Sequence, residues 1–252
     1  MAIDLFLVGG QSNAVGRGNA AESPSVLSGV GVEYVNATDT IIDPLDDPVQ
    51  GNNDAADTGS AWPAFLNEYN NLSGRNIAIV GAARGGSAQN ADADEGSGNW
   101  DSSGSLQDDA VMAINNAISK LEGEGYDVNF RGVLWHQGDR DAQEIDAGGI
   151  AKSDYKTAFE NMITSFRDDL NMPNMPFWVF ELGQLDSGDT SGFQDVRDAQ
   201  NEVALSDVNT SIVSDIQKNF PSENKMSDEI HYDQTGYNEM GEQGATNITN
   251  EL

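Results

Sequence analysis

The chemistry open to this chain is narrowed at once by its side chains: among its 252 residues there are two histidines, His136 and His231, and no cysteine. Disulfides, thiolate metal sites and a cysteine nucleophile are therefore excluded, and a general base for group transfer has two candidates. Ser12 lies in Val8-Gly9-Gly10-Gln11-Ser12-Asn13, directly after an apolar run. Glycines there permit a sharp turn from a strand into a helix, which would present the hydroxyl at the strand's carboxyl end. A serine so placed is either a nucleophile or the N-cap of the next helix. A phosphate-binding loop fits less well, because the Walker lysine and the spaced glycines of a dinucleotide loop are missing. His231 follows Asp228 by three residues in Ser227-Asp228-Glu229-Ile230-His231-Tyr232. At that spacing a carboxylate can turn back on the imidazole within one loop, fix its tautomer and stabilise the imidazolium formed during acyl transfer. In a chain so rich in aspartate the same spacing also arises by chance.

An acyl-transfer site further needs donors aimed at a developing oxyanion. Gly85-Gly86-Ser87 and Gln137-Gly138-Asp139 each follow an apolar run, so their strand ends would meet that of Ser12 in one crevice. The amides of Ser12 and Gly85 and the side chain of Gln137 are the candidate donors. Gly85-Gly86 also reads as a plain tight turn, and His136, which ends the run before Gln137, reads as a packed histidine behind the site.

These residues require a scaffold that brings strand ends together. Short apolar runs suited to buried parallel strands occur at Ile3–Val8, Asn76–Val80, Arg131–Trp135, Phe177–Phe180 and Thr210–Val213. Helical periodicity marks Leu106–Leu121, Tyr155–Leu170, Asp195–Leu205 and Thr235–Ile248, the first with Leu106, Ala110, Ala113, Ile114, Ala117, Ile118 and Leu121 on one face. Strand-then-helix alternation predicts an α/β fold: a three-layer α/β/α sandwich with a parallel sheet of about five strands. Length and even composition predict one domain over residues 1–252. The polar stretches Ala20–Pro63 and Ser87–Ser105 are long for connections and follow strand ends, so they are candidate walls of a ligand crevice or solvated acidic loops.

Acidic residues outnumber basic ones 42 to 12, giving a net charge of −30 spread along the chain. Such a charge repels nucleic acid phosphates and anionic membranes, which argues against both as partners. Apolar runs and four tryptophans do not fit a disordered chain. The acidity instead suggests adaptation to high salt, because at about 1 M ionic strength the Debye length falls to roughly 3 Å and surface carboxylates cease to repel. No apolar run approaches the roughly 20 residues of a membrane-spanning helix. The opening MAIDLFLVGG lacks a basic region before its apolar run, so it reads as a first strand and gives cytoplasmic residence as the default, with secretion possible if a leader was removed. Asp92–Asp101 is superficially like a calcium loop but has Gly96 where a ligand is wanted and Ser103 at the twelfth position, so no metal and no other cofactor is expected.

Four blocks occur in order: GQSNAVG at Gly10–Gly16, ARGGSA at Ala83–Ala88, WHQGD at Trp135–Asp139 and DEIHYDQTGYNEMGE at Asp228–Glu242. Together they resemble the blocks of the SGNH (GDSL-like) hydrolases, in particular the branch of sialate O-acetylesterases and carbohydrate esterase family six. The likeness runs from about Ile3 to Glu242 and implies a flavodoxin-like fold and a serine esterase that removes acetyl groups from O-acetylated carbohydrate, acetylxylan or sialate in type. It implies Ser12 as nucleophile, Asp228 and His231 as its triad partners, Gly85 and Gln137 as oxyanion donors, and Gln11 as a residue shaping the substrate pocket. Asp139 stands where that group usually has glutamate. Two rival functions are a catalytically idle carbohydrate-binding domain on the same fold and a lipase or thioesterase of the same superfamily; the latter calls for an apolar acyl channel.

Overall fold

The computed structural model describes residues 1–52 and 58–252. In chain order its strands are β1 (Ala2–Gly10), β2 (Gly31–Val35), β3 (Thr40–Ile42), β4 (Asn76–Gly81), β5 (Asp127–His136), β6 (Phe177–Phe180) and β7 (Thr210–Ser214). Its α-helices are α1 (Ser12–Val15), α2 (Trp62–Ser73), α3 (Leu106–Gly123), α4 (Asp139–Ala147), α5 (Lys152–Asp169), α6 (Ser191–Ser206) and α7 (Gln234–Glu251). The strands form one sheet in the order β3-β2-β4-β1-β5-β6-β7, parallel throughout except for the antiparallel edge strand β3.

Burial explains the strand composition. Ile3, Leu5 and Leu7 of β1 face a core built with α3 and α5, where Ala110, Ile114, Ala117, Phe159, Ile163 and Phe166 pack. Phe6 and Val8 face the other way, onto Trp62, Phe65 and Tyr69 of α2 and Tyr237 and Met240 of α7. A strand covered on both faces is apolar on both, so β1 carries a near-continuous apolar run in place of an alternating one, broken only by the buried, paired Asp4. The expected α/β/α sandwich is the fold observed, and the four helices read from periodicity are α3, α5, α6 and α7.

The sheet has seven strands where about five were expected. The two additions, β2 and β3, lie within the stretch read as loop. Glu33 interrupts the apolar pattern of β2, yet it is buried, with Oε1 accepting the Gly51 N–H at 2.5 Å and burial pushing its carboxyl up to about 7. β3 is three residues long, too short for any period to register.

β1 is the point at which the chain changes direction across the sheet: β2, β3 and β4 lie to one side and β5, β6 and β7 to the other. In open parallel sheets the crevice outside the carboxyl end of that strand is where ligands bind.

Candidate active site

Ser12 is the first residue after the turn that ends β1. Gly10 has φ 124°, and a Cβ there would stand 2.0 Å from the His136 carbonyl oxygen, so the close approach of β1 to β5 requires glycine. Gln11, not Ser12, is the N-cap of α1, and its side chain makes no cap bond. The N-cap reading of Ser12 therefore fails. Its Oγ lies 2.9 Å from His231 Nε2, and His231 Nδ1 lies 2.8 Å from Asp228 Oδ2.

The Asp228–His231 loop is built locally, as its spacing predicts. Asp228 Oδ1 accepts the backbone N–H groups of Ile230 and His231, each at 2.8 Å, so the carboxylate is oriented before it meets the imidazole. Partial burial works against its charge, but the hydrogen bonds from the His231 side chain and backbone and from Ile230 prevail and hold its carboxyl below the usual value. With Nδ1 held by a carboxylate, Nε2 is left free to accept a proton from Ser12, the geometry a general base requires. Asn13 ties this loop to the turn that carries Ser12: its Nδ2 donates to the Ile230 carbonyl at 3.2 Å and its Oδ1 accepts from the Tyr237 hydroxyl at 2.6 Å. Sequence reading passed over Asn13, because its two partners lie more than 200 positions away.

His136 is fully buried, with Nδ1 2.8 Å from the Phe180 carbonyl and Nε2 3.2 Å from the Tyr232 hydroxyl. Burial pushes its pKa down to about 4, so it is a neutral structural histidine, as expected for a residue packed behind the site.

The turn after β4 is pinned to β1 by Arg84 N–H donating to the Gly10 carbonyl at 3.0 Å, which sets Gly85 beside Ser12. Among the described residues, neither the Ser12 nor the Gly85 amide is paired with a backbone acceptor. Gln137 is placed differently from a simple donor. It is fully buried, and its Nε2 donates to Asp141 Oδ2 at 2.6 Å, with longer contacts to Gln11 Oε1 at 3.2 Å and the Ser87 carbonyl at 3.4 Å. Gln11 Oε1 also accepts from the Gly138 amide at 3.1 Å and the Arg140 amide at 3.4 Å, which joins the end of β1 to the start of α4.

Asp141 was not singled out in the sequence, although Gln137-x-x-x-Asp141 at a helix start was the available signal. It accepts from the amides of Gln89 and Asn90 at 2.8 Å each, besides Gln137, yet burial still pushes its carboxyl up to about 6.

A cavity of about 380 Å³ opens over Ser12, lined by Gln11, Arg17, Gly85, Gly86, Asp139, Arg140, Gln143, Ile230 and His231. Neither polar stretch expected to wall the crevice contributes a lining residue among those described. Ser87–Ser105 instead props α4 from behind: the Ala93 carbonyl accepts from Arg140 Nε at 2.8 Å, and Glu95 pairs with Arg140 Nη1 at 3.0 Å. α4 contributes Asp139, Arg140 and Gln143 to the lining, a helix whose apolar face is too small to register in the sequence because six of its nine residues are charged or amide side chains.

Known structures share this fold. The chain is similar to a protein from Arabidopsis thaliana, with 20% identity over 97% of both chains and a TM-score of 0.71. It is also similar to NanS, with 16% identity over 99% of this chain and 97% of that one and a TM-score of 0.68. A carbohydrate acetylesterase from Xanthomonas citri, XAC1771, matches with 19% identity and a TM-score of 0.63 over 99% of this chain and 57% of its own. No curated protein sequence matches the chain. With Ser12, His231 and Asp228 in hydrogen-bond contact at the end of the switch strand, the family model for carbohydrate esterases described as sialic acid-specific acetylesterases matches residues 2–250, and the chain belongs to that family.

Proposed function

We propose that this carboxylic ester hydrolase removes acetyl groups from O-acetylated carbohydrate through an acetyl-enzyme on Ser12. The reading rests on the unbroken path Asp228–His231–Ser12, 2.8 and 2.9 Å long, at the mouth of a polar cavity. Ser12 Oγ attacks the ester carbonyl carbon while its proton passes to His231 Nε2. The carbonyl oxygen takes up the negative charge facing the Ser12 and Gly85 amides. Gln137 joins them with the Nε2 proton that Asp141 does not hold, whose present contacts are long. Collapse expels the sugar oxygen, which takes the proton from His231. Water, deprotonated by the same nitrogen, then attacks the acetyl carbon and releases acetate.

Gln11, Arg140 and Gln143 line the cavity, with Ile230 as its one large apolar side chain among the described residues. That lining suits a sugar better than a long acyl chain, which disfavours the lipase reading. An assembled triad disfavours an idle binding domain. The net charge of −30 supports a second element of the proposal, that the enzyme works in high salt.

Acetate release from acetylated polysaccharides and acetylated monosaccharides, beside a chromogenic aryl acetate, tests the reading. Turnover of the aryl ester and of at least one sugar ester is expected, with an acetyl adduct trapped on the Ser12 peptide. Inertness toward every sugar ester would reject carbohydrate as the substrate.

A further inference from the structure

The cavity floor holds a carboxyl group that the hydrolytic cycle does not use. Asp139, the first residue of α4, is only 4% exposed yet lines the cavity together with Ser12 and His231. Its neighbour Asp141 is equally deep but accepts three donors. Asp139 Oδ2 has no hydrogen-bond partner among the described residues. Buried acceptors are nearly always paired. This oxygen has almost no exposed surface itself, but the residue borders the cavity, so a turn of the carboxyl about its Cβ–Cγ bond offers an unfilled acceptor to a ligand atom.

The other acceptor on the floor is already engaged. Gln11 Oε1 receives the Gly138 and Arg140 amides and Gln137 Nε2. Nor does the adjacent cation neutralise Asp139: Arg140 spends its guanidinium on the Ala93 carbonyl, Glu95, Gln143 and Glu144. Asp139 cannot move away easily, because Gly138 before it has φ 140° and is packed against Val196 and Leu182.

We propose that Asp139 is the specificity-determining residue of the pocket, its carboxyl receiving a free hydroxyl carried by the alcohol part of the substrate beside the acetyl ester. The acetyl group has no donor, so the hydrogen must come from the alcohol side, as it does when the ester sits on a polyol or sugar ring. Burial pushes the Asp139 carboxyl up to about 7 against the hydrogen bond from its own backbone N–H, and the nearby Asp141 charge adds to the rise. This inference rests on the carbohydrate reading above and narrows it: fully protected or isolated esters are poor substrates, and esters with a neighbouring hydroxyl are good ones.

A matched pair of esters tests it: the monoacetate of a vicinal diol, and the acetate of the same carbon skeleton with the second hydroxyl replaced by hydrogen. Leaving a buried acceptor unsatisfied costs about 1–3 kcal/mol, so the wild type should favour the hydroxyl ester roughly five- to 150-fold in kcat/KM. Asp139→Ala should bring that ratio to about one whatever happens to the absolute rates, and Asp139→Asn, which keeps an acceptor oxygen, should retain part of it. The wild-type ratio needs no variant, so a misfolded mutant does not spare the idea. A wild-type ratio near one, or a full preference persisting in Asp139→Ala, overturns it. Hydrolysis of aryl acetate and sugar acetates with no hydroxyl preference would remove Asp139 alone and leave the carbohydrate reading standing.

Discussion

Two aspartates lie buried at opposite ends of the central sheet, and the protein treats them in opposite ways. Asp4, near the start of β1, is fully buried and surrounded: Tyr69 Oη donates to it at 2.6 Å, Arg75 Nη2 at 2.8 Å, and Arg131 Nε lies 3.0 Å away. Asp139, beyond the far end of the same strand, is almost as deep, with one oxygen unpartnered among the described residues. A buried charge is tolerated when paired, and a buried carboxyl without donors raises its own pKa. The contrast separates a carboxylate that holds the sheet together from one kept in readiness for a ligand.

Substitutions at the two ends should therefore fail in different ways. The largest effect belongs to Ser12→Ala, which should lower aryl acetate turnover by about 10⁴-fold or more while leaving the melting temperature nearly unchanged. Residual activity within tenfold of the parent would remove Ser12 from the nucleophile role. His231→Ala and Asp228→Asn should follow with losses of about 10³-fold or more, whereas His136→Gln should lose far less turnover and more stability. A dead His136 variant beside an active His231 variant would reverse the assignment of the base.

At the other end, Asp4→Ala leaves Arg75 and Arg131 without their shared partner. It should cost about 3–5 kcal/mol of unfolding free energy with kcat preserved in the folded fraction. A loss of turnover without a loss of stability would show that the two ends are not separate in function.

The comparison is sharpened by pH. Asp139 and Glu33 are raised to about 7 and Asp141 to about 6 in the folded chain, all by burial. Between roughly pH 4 and 7 the folded state then binds more protons than the unfolded state, so these groups make stability fall as pH rises through that window. Asp139→Asn should flatten part of that fall, seen as a smaller drop in melting temperature from pH 5 to pH 8. An identical slope in the variant would mean that Asp139 ionises like an exposed aspartate.

Salt should have the mildest effect and act over the whole surface. At about 0.01 M the Debye length is roughly 30 Å, so nearly all charges on a chain of net −30 repel one another, and unfolding relieves the repulsion. The melting temperature should climb from 0.05 M to 2 M NaCl as an order-of-magnitude range of screening. A flat or falling curve would assign the acidity another cause.

Much of this was legible before any coordinates. The five strands covered on both faces announce themselves as apolar runs, and α3 by its periodic face, because burial acts on every residue of such elements. β2 was hidden by Glu33, whose burial depends on Gly51, and α2 was missed in the shadow of the polar stretch that precedes it. The Asp228–His231 pair was readable because its geometry is closed within four residues.

By itself, then, the sequence determined the α/β class, the order of the blocks, the two-histidine choice and the net charge of −30, since each depends on composition or on neighbours a few residues apart. Only the tertiary structure decided that Ser12 meets His231 across 219 positions, that Gln137 is braced by Asp141 and Gln11, that α4 lines the cavity while the described residues of the long polar stretches do not, and that Asp4 is paired where, among the described residues, one oxygen of Asp139 is not. Those outcomes depend on which strand ends the sheet order places side by side, and hydrogen bonds between residues remote in sequence leave no periodic trace along the chain.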